Sequence, residues 1–191
     1  QIIAVAGRQG HAAAGLSELC GELAVIAALP EFEARREAIW LALANLPDSP
    51  ANHELRWNVM GGLGQTLRRR GDTIDVAPGL PMQLRPSVRE WLEEAAKTAI
   101  DQQRPTASRI KAIETLKLTN APHVPERLQS LALDDPDVAV QQAAFDALAS
   151  FPQSEIARPL LDRFGSAPPS ARPGILDVLM AADAGTAARR G

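Results

Sequence analysis

The residues in this 191-residue chain whose types could do chemistry are three histidines, one cysteine and a few charged or glycine-rich clusters. His11, His53 and His123 lie 42 and 70 residues apart, without the close pairing that helical metal sites use. That spacing points to surface or capping roles. Cys20 has Leu16, Leu19 and Leu23 around it at helical offsets, which predicts a buried thiol acting as a small hydrophobe. With one cysteine there is neither an internal disulfide nor a C-x-x-C-H haem attachment.

Asp134, Asp135 and Asp137 have the composition of a calcium loop, but Pro136 interrupts them and no bidentate Glu follows at the required distance. Helix capping accounts for them better. Gly61-Gly-Leu-Gly64 precedes no Lys-Ser/Thr and follows no strand, so close helix packing is the expected reason for it. Arg68, Arg69 and Arg70 end a helical segment, where the dipole favours cations; an anion patch is the alternative. Glu90, Glu93, Glu94 and Asp101 are spaced as a solvated helix face. No catalytic pair and no metal-ligand set can be named.

The elements that hold these residues are helical. Apolar residues make up 46% of the chain, mostly Ala and Leu, with four Phe, three Trp and no Tyr, so helix formers dominate and strand formers are scarce. The net charge of -3 and pI near 5.7 argue against a phosphate backbone as partner. So does the scatter of Trp40, Trp57 and Trp91, since single-strand binding needs aromatics along a basic groove. The longest apolar stretch, residues 23–30, is far short of the roughly 20 residues that cross a bilayer. The start at Gln1 and the finish at Arg189-Arg190-Gly191 read as those of an internal fragment.

Three segments align at spacings of 32 and 31 residues: 109–116, 141–148 and 172–179. Each has a polar residue, Arg109, Gln141 or Arg172, followed by apolar residues at helical offsets and by Leu seven positions on. Leu128 and Leu131 match Leu161 and Phe164 at an offset of 33, which gives each repeat a second helix. Asp135 is the expected N-cap of the helix containing Gln141, with Pro136 at its first position. Gly165 is placed to close a helix, and Pro159 demands a late helix start or a kink.

Earlier in the chain, helices are expected over 2–7, 12–29, 33–46 and 53–70, with Pro47 and Pro50 ending the third. Arg36 carries Ile39, Trp40 and Leu43 at the repeat's offsets. Residues 71–87 hold the one long Pro/Gly connection, a loop packed through Ile74, Val76, Leu80 and Met82 or a linker between blocks, and a helix resumes from Ser87. The organisation is thus 1–70 irregular helices, 71–87 connection and 88–191 repeats. Arg109, Gln141 and Arg172, at equivalent positions, are expected to form an inter-repeat polar ladder to neighbouring carboxylates or carbonyls.

The run 134–148 resembles a HEAT repeat of the short, bilin-lyase-like type, which usually has Arg where Gln141 stands; Arg109 and Arg172 restore it in the flanking copies. This resemblance covers roughly residues 105 to 181. The order of Ala-rich helices, Leu67-Arg-Arg-Arg-Gly71, a Pro/Gly connection and Pro159-Leu-Leu-Asp-Arg-Phe164 is similar to the HEAT region of large planctomycete-type membrane-bound dehydrogenase and c-type haem proteins. The resemblance implies an all-α, right-handed α-α superhelix in an exported protein, with no cofactor in this segment and any c-type haem elsewhere. It implies a non-enzymatic scaffold or spacer with a protein partner, and the charge balance adds no nucleic acid to its expected partners. The alternative is an enzyme-associated HEAT module, of lyase or DNA-repair type, with a charged concave site.

Overall fold

Every regular element among the described residues is helical, as the scarcity of strand formers dictates. The computed structural model describes residues 14–29 and 32–188, so the helix expected over 2–7, His11 and the terminal 189–191 lie outside the described residues. The protein is all-α, with nine α-helices and two 3₁₀ turns among those residues. It divides into two compact units, Gln1–Lys97 and Thr98–Gly191. No helix among the described residues is long and apolar enough to cross a membrane.

In the first unit α1 (Ala14–Ala27), α2 (Glu33–Ala44) and α3 (Pro50–Arg69) are followed by 3₁₀ turns at Ile74–Val76 and Met82–Leu84 and by α4 (Arg85–Ile100), which runs past the unit's edge. The main packing is α1 on α3, and glycine makes it possible. A Cβ on Gly62 would lie 2.0 Å from the Gly21 carbonyl oxygen, and one on Gly21 would lie 2.8 Å from that of Asn58. The two backbones therefore touch. Asn58 Nδ2 donates to Ser17 Oγ at 2.6 Å, and Thr66 Oγ1 donates to the Val25 carbonyl at 3.4 Å. Leu55, Val59, Met60, Leu63 and Leu67 form the buried stripe of α3, with Trp40 and Leu43 of α2 fully enclosed.

The sequence placed Pro50 at the end of a helix; in the fold it opens one. α2 stops at Ala44, Ser49 is extended (φ -163°) and its hydroxyl accepts from Asn52 N at 3.3 Å. Pro50 sits in the first turn, where a missing N–H breaks no bond. Ser49→Ala is therefore expected to lower the stability of the first unit by about 1 kcal/mol, read by urea unfolding through the fluorescence of Trp40, Trp57 and Trp91. An unchanged midpoint would show that the cap contributes nothing.

The connection 71–87 is a packed loop. Gly71 closes α3 at φ 84°, with its N–H on the Arg68 carbonyl and the Asp72 N–H on the Leu67 carbonyl, a Schellman arrangement. Ile74, Ala77 and Leu80 are buried, whereas Val76 and Met82 are exposed, so half of the expected apolar contacts form. The helix that follows starts at Arg85, two residues before the expected Ser87.

The second unit contains α5 (Thr106–Leu116), α6 (Val124–Asp134), α7 (Val138–Leu148), α8 (Gln153–Phe164) and α9 (Arg172–Ala188). α7 packs against α5 and α9, and α6 against α8, so alternate helices form two layers. Ile113, Leu116, Ala144, Phe145, Leu148 and Ile175 are buried as their spacing predicts, whereas Leu176 is 47% exposed. The second-helix register differs by one residue. Val124 and Leu128 of α6 correspond to the buried Ile156 and Leu160 of α8, an offset of 32, while Leu161 is 57% exposed. That offset is the spacing from Arg109 to Gln141, so both helices of the pair share one period.

Two local expectations change. α7 begins at Val138 with Asp137 as its N-cap, Oδ1 accepting from Ala139 N at 2.9 Å; Asp135 is instead the C-cap residue of α6. α8 starts at Gln153 and runs through Pro159. Pro159 and Glu155, whose carbonyl loses its helical donor, are both exposed, so water satisfies the freed group. Gly165 is the C-cap of α8, in a right-handed conformation (φ -66°).

Candidate functional site

The equivalent positions Arg109, Gln141 and Arg172 do not touch one another; each reaches back to the segment before its own helix. Arg109 Nε donates to the Ala99 carbonyl (2.9 Å), Gln141 Nε2 to that of Asp135 (2.6 Å), and Arg172 Nε and Nη2 to those of Ala167 (3.3 Å) and Gly165 (3.4 Å). Arg36, at the same offset in the first unit, donates to the carbonyls of Ala27 (3.2 Å) and Leu29 (3.1 Å), and to Pro78 (3.2 Å). Its side chain is fully enclosed. The last carbonyls of a helix have no internal donor, and a guanidinium or amide from the next helix supplies one.

Arg109 does more. Its guanidinium donates to Asp135 through both Nη1 (3.2 Å, to Oδ1) and Nη2 (to Oδ2), and both residues are buried. Asp135 Oδ1 also accepts from Asp137 N at 3.0 Å. The three aspartates thus have three tasks: Asp135 pairs with Arg109, Asp137 caps α7, and Asp134 accepts from Arg163 of α8 at 2.8 Å on the surface. Bonds from Thr106 Oγ1 (2.6 Å) and the Ala139 N–H hold the Asp137 carboxyl below the usual carboxylate range.

The concave site with the most chemistry lies in the first unit, between the start of α3 and the exposed side of α4. It is a cleft of about 460 Å³ lined by Asp48, His53, Arg56, Trp57, Ser87, Glu90, Trp91 and Glu94, with Ala44. The position of Ser49 as cap aims Asp48 and His53 at each other, and His53 Nε2 lies 2.5 Å from Asp48 Oδ1. The other ring nitrogen, Nδ1, stands 4.0 Å from Glu94 Oε1. The bond from His53, and then its charge, draws the Asp48 carboxyl below the usual range. A doubly protonated ring can serve both carboxylates, a neutral one only one of them.

Arg56 forms one wall. Its Nη2 donates to the Leu46 carbonyl (2.7 Å) and Nε to that of Leu43 (3.3 Å), and the guanidinium lies over the Trp91 ring at 5.2 Å. Burial pulls its pKa down, against the opposing pull of Asp48 and Glu90. Trp57 Nε1 donates to the Trp91 carbonyl at 3.4 Å, which joins α3 to α4. In the sequence Trp57 and Trp91 stand 34 residues apart, and Asp48, Arg56 and Ser87 belong to no motif. The i, i+4 pair Glu90 and Glu94 on one helix was the signal available.

Of the remaining candidates, Cys20 is buried, and desolvation pushes its thiol up and away from the reactive form. Arg69 and Arg70 are exposed, while Arg68 is half-buried with its pKa lowered by burial. His123 precedes α6 without a side-chain cap bond. Glu90 is exposed and Glu93 and Glu94 half-buried, and Asp101 Oδ1 accepts from Gln103 N at 3.0 Å. Among the described residues no group of three or more His, Cys, Asp or Glu could hold a metal ion. Comparison of the chain with protein-family models, with curated proteins and with solved structures finds no match.

Proposed function

We propose that this chain is a non-enzymatic helical-repeat scaffold of HEAT type, a right-handed α-α superhelix of helix pairs that acts by binding other protein surfaces. The two layers of alternate helices in the second unit support the repeat reading. So do the reach-back bonds of Arg36, Arg109, Gln141 and Arg172, one device used at equivalent positions. Stacked repeats bury a shared core and leave extended faces free for partners. The sequence resemblance to planctomycete-type HEAT regions favours a connector role within a larger exported redox protein, with the haem chemistry elsewhere.

The observation that carries the interaction reading is the outer face of α1. Leu19, Leu23 and Ile26, at helical offsets, are 43%, 41% and 52% exposed on the side opposite Cys20 and Ala24, which pack inward. A contiguous apolar row left in water marks a contact surface. A photo-crosslinking residue in place of Leu23 is expected to trap discrete protein adducts in the native cells, whereas the same residue at the exposed Gln65 of α3 traps none. Equal patterns at the two positions, or none at position 23, would remove the reading.

A further inference from the structure

We propose that this chain associates head to tail with a second copy of itself, the helix pair α8 and α9 of one copy stacking on the pair α1 and α2 of the next. Resting on the repeat reading above, this association names the partner of the α1 face. The reach-back bonds fix the register between the two pairs. Arg172 reaches the Gly165 carbonyl at the end of α8, and Arg36 reaches the Leu29 carbonyl at the end of α1, each seven residues back. Leu29 therefore corresponds to Gly165, Leu19 to Glu155, Leu23 to Pro159 and Ala38 to Gly174, all at the offset of Arg36 from Arg172.

Inside the second unit α9 covers α7 at one pair of positions. The Phe145 ring lies against the Gly174 backbone, where a Cβ would stand 2.6 Å from the ring. Ile113, Phe145 and Leu176 are one position in successive copies, and they are 0%, 5% and 47% exposed. The first two are followed by α7 and α9, which pack on their helices. Leu176 has no helix after it among the described residues, and Met180, one turn on, is exposed as well. At the Gly174 position α7 has Ala143 and α2 has Ala38, which is exposed together with Leu41 one turn on. Leu176 set on Ala38 thus matches the positions of Ile113 and Ala143, a branched side chain over a methyl, and Met180 meets Leu41.

The other layer agrees. α6 and α8 meet across a cleft of about 470 Å³ lined by Gln129 from α6 and by Glu155 and Pro159 from α8. At the two free faces these positions hold leucine. Leu161 of α8 takes the place of Gln129, and Leu19 and Leu23 of α1 take those of Glu155 and Pro159; all three are exposed. A polar, open groove inside the unit is thus replaced by apolar groups on both of the surfaces that would meet, which favours their removal from water. Because one face meets a different face, the contact is heterologous and each copy keeps one of each free for the next.

The experiment is sedimentation equilibrium of the full chain and of variants at exposed positions, L161D/L176D on one face and L19D/L23D on the other, each checked for folding by circular dichroism. M180D is the single-residue variant for the first face. The unaltered chain is expected to associate with a dissociation constant on the order of 100 μM, as for a small interface. Each variant alone is expected to associate at least about tenfold more weakly, since a carboxylate is buried against leucine. An equimolar mixture of L161D/L176D and L19D/L23D restores the association and stops at a dimer, because each variant keeps one intact face. A chain still monomeric at about 1 mM overturns the proposal. So does undiminished self-association of any of these variants, which marks a like-to-like contact, or a mixture that stays monomeric. A monomeric chain with adducts to other proteins at position 23 sinks this association and leaves the scaffold reading; association here without any adduct at position 23 in the cells does the reverse.

Discussion

Gly62→Ala is expected to lower the unfolding free energy of the first unit by about 3 kcal/mol, the upper part of the range for overpacking, while Gly61→Ala next to it raises it by up to about 1 kcal/mol through helix propensity. Both glycines lie inside α3, so intrinsic preference favours alanine equally at each. They differ in what the added methyl meets. At position 61 there is nothing within 4 Å; at position 62 the Gly21 carbonyl oxygen is 2.0 Å away and Ala24 Cβ 2.9 Å. The obstacle at 62 is backbone, which no rotamer change relieves, so α1 must move off α3. The bonds from Asn58 to Ser17 and from Thr66 to Val25 weaken with that movement. Urea unfolding followed by tryptophan fluorescence measures both variants, and shifts of the same sign would refute the close-contact account.

Asp135→Ala is expected to cost the second unit about 3–5 kcal/mol, because it leaves the Arg109 guanidinium buried without its counter-charge. Only the Ala99 carbonyl would still accept from it. The Asp137 N–H would also lose its acceptor at the turn into α7. Replacing the pair by R109M/D135L removes both charges, and its loss is expected to be much smaller than that of D135A, since apolar side chains of similar volume offset a buried ion pair. The three tryptophans all precede the second unit, so thermal unfolding followed by far-ultraviolet circular dichroism, with amide exchange over α5 to α7, is the readout. If the double variant were as unstable as D135A, the desolvated charge would not be the cause.

Much of the helical content was legible because it rests on local signals. The stripes Leu55-Val59-Met60-Leu63-Leu67 and Ala144-Phe145-Leu148 are periodic in the chain and buried in the fold. A helix start was harder to read, since several residues can cap. Asp135 and Asp137 have the same side chain, and Asp137 became the cap of α7 because Arg109, 26 residues earlier, claims Asp135. The offset between α6 and α8 is 32 where the sequence predicts 33, for a similar reason. Leu160 and Leu161 are both apolar, and only packing selects Leu160 for the interior.

The sequence by itself determined that the chain is helical, that the segments 109–116, 141–148 and 172–179 align at about 32 residues, and that Arg36, Arg109, Gln141 and Arg172 precede their apolar stripes at the same offsets. Helix propensity and amphipathic period are properties of neighbouring residues, and they need no partner to be read. Only the tertiary structure decided where those polar groups bond, that Gly62 rather than Gly61 receives another backbone, and that Asp48, His53, Trp57, Trp91 and Glu94 line one cleft. Those outcomes depend on pairs up to 46 residues apart, Asp48 to Glu94, whose approach is set by how whole helices pack. No local pattern encodes that distance.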